Sequence, residues 1–181
     1  MQQIIHIFGA SGSGTSTLAR AVADRTGIRF LDSDDYLWAA TDPPFTVLRT
    51  GPERRALLEK DLGDGRDTVL SGSLVGWGDP LMAGFTLAVR LVTPTDVRLD
   101  RIKRREYERF GNRILPGGDM YDQHQAFLAW AAAYDDGAPT MRSRAMHDLW
   151  QQKLACPLLT LSGTRPVEEL TEAVLKAAQI K

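Results

Sequence analysis

Gln3-Ile4-Ile5-His6-Ile7-Phe8-Gly9-Ala10-Ser11-Gly12-Ser13-Gly14-Thr15-Ser16-Thr17-Leu18 contains the transition on which the reading of this chain turns. Residues 3–8 are a short, largely apolar run that stops at Gly9, the pattern of a buried strand. From Thr15 to about Arg25, Leu18, Ala21 and Val22 recur at helical spacing, and Gly27 stands where a helix stop belongs. Between strand and helix, Gly9 to Ser16 fits seven of the eight positions of the phosphate-loop pattern Gly-x-x-x-x-Gly-Lys-Ser/Thr. In such a loop Gly9, Gly12 and Gly14 let the N–H groups of residues such as Ser11 and Ser13 converge on phosphates. The amino terminus of the helix, at Thr15 to Thr17, adds a favourable dipole, and Ser16 offers its hydroxyl to Mg²⁺. The eighth position holds Thr15 instead of lysine, so a cation that normally reaches the β- and γ-phosphates is missing. The five lysines, Lys60, Lys103, Lys153, Lys176 and Lys181, are all far from the loop in sequence, so arginines are expected to replace the charge.

Outward from this unit, strand and helix patterns alternate. Further strands are expected at Ile28–Leu31, Thr68–Leu70, Phe85–Val92 and Leu158–Leu161. Helices are expected from Asp35 through Trp38 with Ser33 or Asp34 as cap, from Pro52 to Leu62, from Thr95 to Arg109, over Tyr121–Asp135 and Arg142–Leu154, and from Pro166 onward. Strands separated by helices imply crossover connections. The expected fold is α/β, a five-stranded, mostly parallel sheet between two helical layers, in one P-loop domain over 1–181 with a small helical lid at about 104–144. In such sheets ligands bind beyond the carboxyl ends of the strands.

With 181 residues, 43% of them hydrophobic, the chain can bury one good core. A formal net charge of -1 argues against nucleic acid or an anionic membrane as partner. Cys156 is the only cysteine, which excludes an internal disulfide and fits a reducing compartment; it reads as a small buried residue. No leader-like or membrane-spanning run is visible, so the expected location is the cytoplasm. His6, His124 and His147 lack metal-ligand spacing and are assigned no chemistry.

The order of elements and the loop resemble the adenylate-kinase-like superfamily of P-loop kinases, including shikimate, gluconate and nucleoside monophosphate kinases. The resemblance spans nearly the whole chain, with motif-level detail only at the loop and neighbouring strand ends. Archaeal-type cytidylate kinases have similar loops with Gly-Thr-Thr, so Gly14-Thr15-Ser16 is compatible with an active enzyme. The resemblance implies ATP and Mg²⁺ as cofactors and a small molecule or a nucleotide as phosphoryl acceptor. Asp32-Ser33-Asp34 resembles the Asp-x-Asp of shikimate kinases, which implies Asp32 as a metal partner and Asp34 as the residue that positions or deprotonates the acceptor hydroxyl. Helix capping by solvated carboxylates is the competing reading of the pair.

By the same resemblance, Gly72, Ser73 and Trp77 border the acceptor, and Arg54, among Arg49, Arg54 and Arg55, meets an anionic group on it; a flexible loop with a packed tryptophan and a solvated helix face are the competing readings. Gly163 and Thr164 lie in the loop beside the adenine. The basic helix with Arg101, Arg104 and Arg105, continued by Arg109 and Arg113, forms a lid whose arginines neutralise developing charge, and Arg142 and Arg144 serve from the far side. Acid-base spacing such as Asp100 to Arg104 equally suits an exposed helix. Three functions follow: hydroxyl-acceptor kinase, nucleoside monophosphate kinase, or a nucleotide-binding regulator without efficient transfer.

Overall fold

β1 (Ile4–Gly9) is buried along its whole length because it is the central strand. It pairs in parallel with β3 (Thr68–Ser71) on one side and β4 (Leu87–Val92) on the other. β2 (Arg29–Asp32) extends the sheet beyond β3, and β5 (Leu158–Ser162) beyond β4, giving the order β2-β3-β1-β4-β5. Every pairing is parallel. This computed structural model describes residues 2–180; Met1 and Lys181 lie outside the described residues.

The pleat of β1 sends alternate side chains into two cores. Ile5 and Ile7 pack with Leu18 and Val22 of α1 (Thr15–Thr26) and with Leu170 and Val174 of α7 (Val167–Ala178). Ile4 and Phe8 join Tyr36 of α2 (Ser33–Leu37), Leu58 and Leu62 of α3 (Gly51–Leu62) and Trp150 of α6 (Arg144–Gln151) on the opposite face. Full burial of an aliphatic side chain such as Ile7 or Leu58 contributes about 1.5–3 kcal/mol, so both helical layers are held chiefly by apolar contact with β1 and its neighbours. α4 (Thr95–Phe110) and α5 (Tyr121–Ala132) pack on each other beside the carboxyl end of the sheet.

Several boundaries differ from the sequence pattern for local reasons. α2 is capped by Asp32, whose side chain accepts from the Asp34 N–H, and not by Ser33 or Asp34. β4 begins at Leu87 and not Phe85, because Pro80 helps start a 3₁₀ turn over Asp79–Gly84 that closes with Phe85 N–H on the Met82 carbonyl. α5 ends at Ala132, three residues before Asp135, whose carboxylate is drawn to Arg98 and Arg144. α6 starts at Arg144 because Ser143, fully buried, accepts from the Met146 N–H as its cap; this leaves Arg142 outside the helix. Cys156 is half-buried, not fully buried. α3 matches its signals closely: Thr50 and Glu53 form a reciprocal capping box with Pro52 in the first turn.

Candidate active site

Register brings the chemistry-bearing residues to one place. Asp32 is aligned with Ser71, and Ser71 with Ile7, so the ends of β2 and β3 stand beside the loop that leaves β1. From the first turn of α1, Ser16 Oγ donates to Asp32 Oδ2 at 2.7 Å, and Ser71 Oγ lies 3.3 Å from Ser16 Oγ. The other Asp32 oxygen accepts from the Asp34 N–H at 3.1 Å. Asp32 therefore caps α2 with one oxygen and meets Ser16 with the other, so the two readings of the acidic pair meet in one residue. A hydroxyl and a carboxylate in contact suit Mg²⁺, a hard cation that is usually held by one or two carboxylates together with substrate phosphates. Ser16 and Asp32 would hold it.

The phosphate loop winds tightly between Gly9 and Thr15. Gly12 has φ 79°, and a Cβ there would come within 2.5 Å of the Arg98 carbonyl, so only glycine permits this approach to α4. Ser13 N–H closes a turn on the Ala10 carbonyl, while Ser13 Oγ is buried without a partner, which fits a loop shaped to receive a polar ligand. Gly14 caps α1, and Thr15 and Thr17 follow in its first turn, Thr17 exposed.

Asp34 is reached by solvent but crowded by protein. Crowding, together with the nearby Asp32 carboxylate, pushes its carboxyl above the usual carboxylate range; Arg142 and Arg105 oppose the shift. The arginines divide among distinct tasks. Arg101 Nη1 donates to the Ser13 carbonyl at 3.4 Å, beside Gly14. Arg105 is held by Glu106 at 3.0 Å, while Arg104 is exposed and makes no hydrogen bond or ion pair among the described residues. Arg113 and Arg109 lie away from the loop: Arg113 pairs with Asp42 and Asp119, and Arg109 lies over Phe45 and Phe110. Arg144 pairs with Asp135. Arg142 donates to Ser11 Oγ at 2.9 Å and lies over the Trp130 ring at 4.4 Å.

The residues expected around the acceptor are dispersed. Gly72 has φ 98° and presses against Ser33, where any Cβ would collide with the Ser33 hydroxyl, and its carbonyl meets His6 Nε2 at 2.9 Å. Ser73 Oγ is engaged by His147 Nε2 at 2.9 Å, and His147 Nδ1 by the Tyr134 hydroxyl at 2.6 Å. Trp77, only 8% exposed, packs in the second core instead of walling an open pocket. Arg54 lies 5.1 Å over the Trp77 ring with its Nε buried and unpartnered, and burial pushes its guanidinium down from the ordinary arginine value. At the opposite end of the loop, Gly163 N–H donates to the Val92 carbonyl, and a Cβ on Gly163 would lie 2.6 Å from the Ser13 carbonyl. Thr164 follows, its hydroxyl on that of Ser162 at 2.8 Å.

Arg98 is the residue that sequence reasoning undervalued. It is fully buried, donates to the carbonyls of Thr93, Ser11 and Ala131, and pairs with Asp135 at 3.1 Å. It thus ties the phosphate loop to α5. Its place four residues before buried Ile102 was the available signal, obscured by the exposed basic residues around it.

The family model described as "AAA domain" matches residues 5–115. The chain is 46% identical to "Uncharacterized protein YqaC" of Bacillus subtilis (strain 168) over 175 residues, covering 97% of each chain. It is 30% identical over 120 residues to a cytidylate kinase of Haloarcula marismortui, covering 59% of this chain and 60% of that one. Among solved structures, a shikimate kinase from Acinetobacter baumannii in complex with shikimate superposes with a TM-score of 0.56 at 17% identity, covering 97% of this chain and 92% of that one.

Proposed function

Since this chain belongs to the AAA-domain family and has the fold of P-loop kinases, we propose that it is an ATP-dependent phosphotransferase that moves the γ-phosphoryl of ATP to a hydroxyl of a small molecule. The observation that carries this reading is the Ser16–Asp32 contact at 2.7 Å beside the loop, with Asp34 two residues further on and under the electrostatic influence of Arg142 and Arg105. In the proposed reaction, the acceptor oxygen forms a bond to the γ-phosphorus as the bond from that phosphorus to the β,γ-bridging oxygen breaks. The hydroxyl proton passes to Asp34, and ADP departs with the bonding pair. When bound, Mg²⁺ supplies charge neutralisation on the phosphates. The chain's own residues orient and protect: the loop N–H groups bind phosphate, Ser16 and Asp32 hold the metal, Asp34 takes the proton, and α4 covers the loop. At the base end, Arg101 and Gly163 approach the same Ser13 carbonyl, so the nucleobase belongs between α4 and the loop containing Thr164. Arg54, with a buried unpartnered Nε, suits an anionic group on the acceptor.

A second reading, a nucleoside monophosphate kinase, draws on the similarity to the Haloarcula cytidylate kinase. One assay separates the two: purified protein with Mg·ATP and a panel of sugars, hydroxy acids, nucleosides and nucleoside monophosphates, followed by ADP release and acceptor phosphorylation. Hydroxyl transfer is expected, and Asp34→Asn should lower it by about 10²–10⁴-fold. Transfer confined to monophosphates and insensitive to Asp34→Asn would select the second reading. ATP binding with no acceptor-dependent ADP across the panel would leave a regulatory nucleotide-binding protein.

A further inference from the structure

Thr15 leaves the phosphate loop without its usual cation, so the surrounding arginines must be sorted by what each still has free. Arg98 is spent: its guanidinium is shared among the Thr93, Ser11 and Ala131 carbonyls, Thr95 and Asp135. Arg101 is drawn to the Ser13 carbonyl, the atom that Gly163 also approaches, and its Nη1 would lie 3.7 Å from a Cβ on Gly14; in the proposed reaction this side of the loop belongs to the nucleobase. Arg105 is largely compensated by Glu106. Arg104 points at no partner among the described residues and is exposed.

Arg142, like Arg101, has one hydrogen bond and no ion pair among the described residues, but it is partly buried where Arg101 is exposed. It makes one hydrogen bond, to Ser11 Oγ in the phosphate loop, and has no carboxylate within ion-pair distance among the described residues. Its guanidinium carbon lies 4.4 Å from the centre of the Trp130 ring, so an aromatic face holds it on one side. Burial disfavours its charge, and the charge of the Asp34 carboxylate favours it. Its position is also fixed from behind. The next residue, Ser143, is fully buried, caps α6 and donates to the Ala138 carbonyl, while α6 is anchored by His147 between Ser73 and Tyr134. A guanidinium has five N–H donors, so one bond to Ser11 leaves a partly buried cation with several donors uncommitted among the described residues. Such a group favours an anion strongly.

We propose that Arg142 supplies the cation that Thr15 withdraws from the loop, meeting the terminal phosphate of the bound nucleotide from the turn before α6. The inference rests on the phosphotransferase reading above for its ligand, a nucleoside triphosphate. Because the charge comes from a separate segment, 131 residues from Ser11, it distinguishes the triphosphate from the diphosphate by geometry and not by local sequence.

The test exchanges the two positions. Affinities for Mg·ATP and Mg·ADP are measured by titration calorimetry for the wild type, Arg142→Ala, Arg142→Gln, Arg142→Lys, Arg101→Ala and the double variant Thr15→Lys/Arg142→Ala, each checked for folding by thermal melting. The wild type should prefer ATP. Arg142→Ala and Arg142→Gln should reduce that preference by about 10- to 100-fold, the loss expected for a charged hydrogen bond, while Arg142→Lys keeps part of it. Arg101→Ala should weaken ATP and ADP alike. Thr15→Lys in the Arg142→Ala background should return the preference to within about threefold of the wild type. A wild type that prefers ATP while Arg142→Gln keeps the same preference would overturn the assignment and leave the phosphotransferase reading standing. So would a loss that Thr15→Lys fails to repair. Absence of any nucleotide binding by the wild type would remove both.

Discussion

Ser16 and Asp32 meet at 2.7 Å although they lie on different elements, one in the first turn of α1 and the other at the end of β2. The contact exists because β2 reaches the same level of the sheet as the loop after β1, and because Asp32 turns one oxygen toward α1 while capping α2 with the other. Asp32→Asn should separate the two duties. Asparagine caps about as well as aspartate, so the melting temperature should change by only a few degrees. The negative charge at the metal position is lost, and turnover at limiting Mg²⁺ should fall about 100-fold with a raised Mg²⁺ requirement. An Asp32→Asn enzyme with unaltered Mg²⁺ dependence would show that Asp32 is only a cap.

Arg98→Ala tests the buried tie between the loop and α5. The substitution strands three carbonyls and Asp135 and opens a void, so it should cost about 3–5 kcal/mol in urea unfolding. Asp135→Asn, which removes charge from the half of the pair that Arg144 also serves, should cost less. A loss below about 1 kcal/mol for Arg98→Ala would mean that the buried guanidinium contributes little to the native state.

Arg105→Ala should reduce turnover more than Arg104→Ala. Arg105 feels the charge of Asp34 and is oriented by Glu106, whereas Arg104 is exposed without a partner. Expected values are about tenfold for Arg105 and less than twofold for Arg104 in kcat, with ATP affinity little changed. Equal effects in steady-state kinetics would contradict this ranking.

Two buried histidines set an acid limit. Desolvation lowers His6 to about 4, its Nε2 facing the Gly72 carbonyl among Phe8, Phe85 and Trp150. Desolvation, then the cations Arg142 and Arg90 and finally His6, lower His147 to about 3, where it faces Ser73, Tyr134 and Phe8. Both are neutral when folded and gain protons near pH 6.5 when unfolded. The unfolded chain therefore binds more protons between about pH 6.5 and 4, and stability falls as pH falls through that window. The slope should approach about 2.7 kcal/mol per pH unit near pH 5, from two protons at about 1.4 each. Urea midpoints should drop between pH 7 and pH 5, and less so in His147→Gln; equal midpoints would refute the assignment.

The sheet was legible because each strand is a short, largely apolar run closed by glycine, serine or aspartate, or in β4 by Thr93-Pro94, and because Gly9 to Ser16 has so specific a spacing. Parallel order followed from the helices between most strands, although β3 and β4 are joined only through the 3₁₀ turn over Asp79–Gly84. What stayed hidden was contact between segments distant in sequence. A packed Trp77 was legible as one of two readings of its loop, but nothing around Ser73 marks it as bound to His147, since serine-glycine runs read as loops whatever they touch. Arg98 and Arg142 were two basic residues among many until burial and partners separated them. The end of α6 nearest the loop was misplaced because Arg142 is a good helix former, and only the burial of Ser143 decides where the helix begins.

The packing of α1 on α7 bears on how the chain is made. Leu18 and Val22, beneath the phosphate loop, share their core with Leu170 and Val174 near the other end of the sequence. During synthesis on the ribosome the loop emerges well before α7, so the apolar side of its supporting helix meets the sheet strands first and has its cover completed only when α7 has left the exit tunnel. A nascent chain halted before Val167 therefore leaves the α7 side of that greasy helix face open to chaperones.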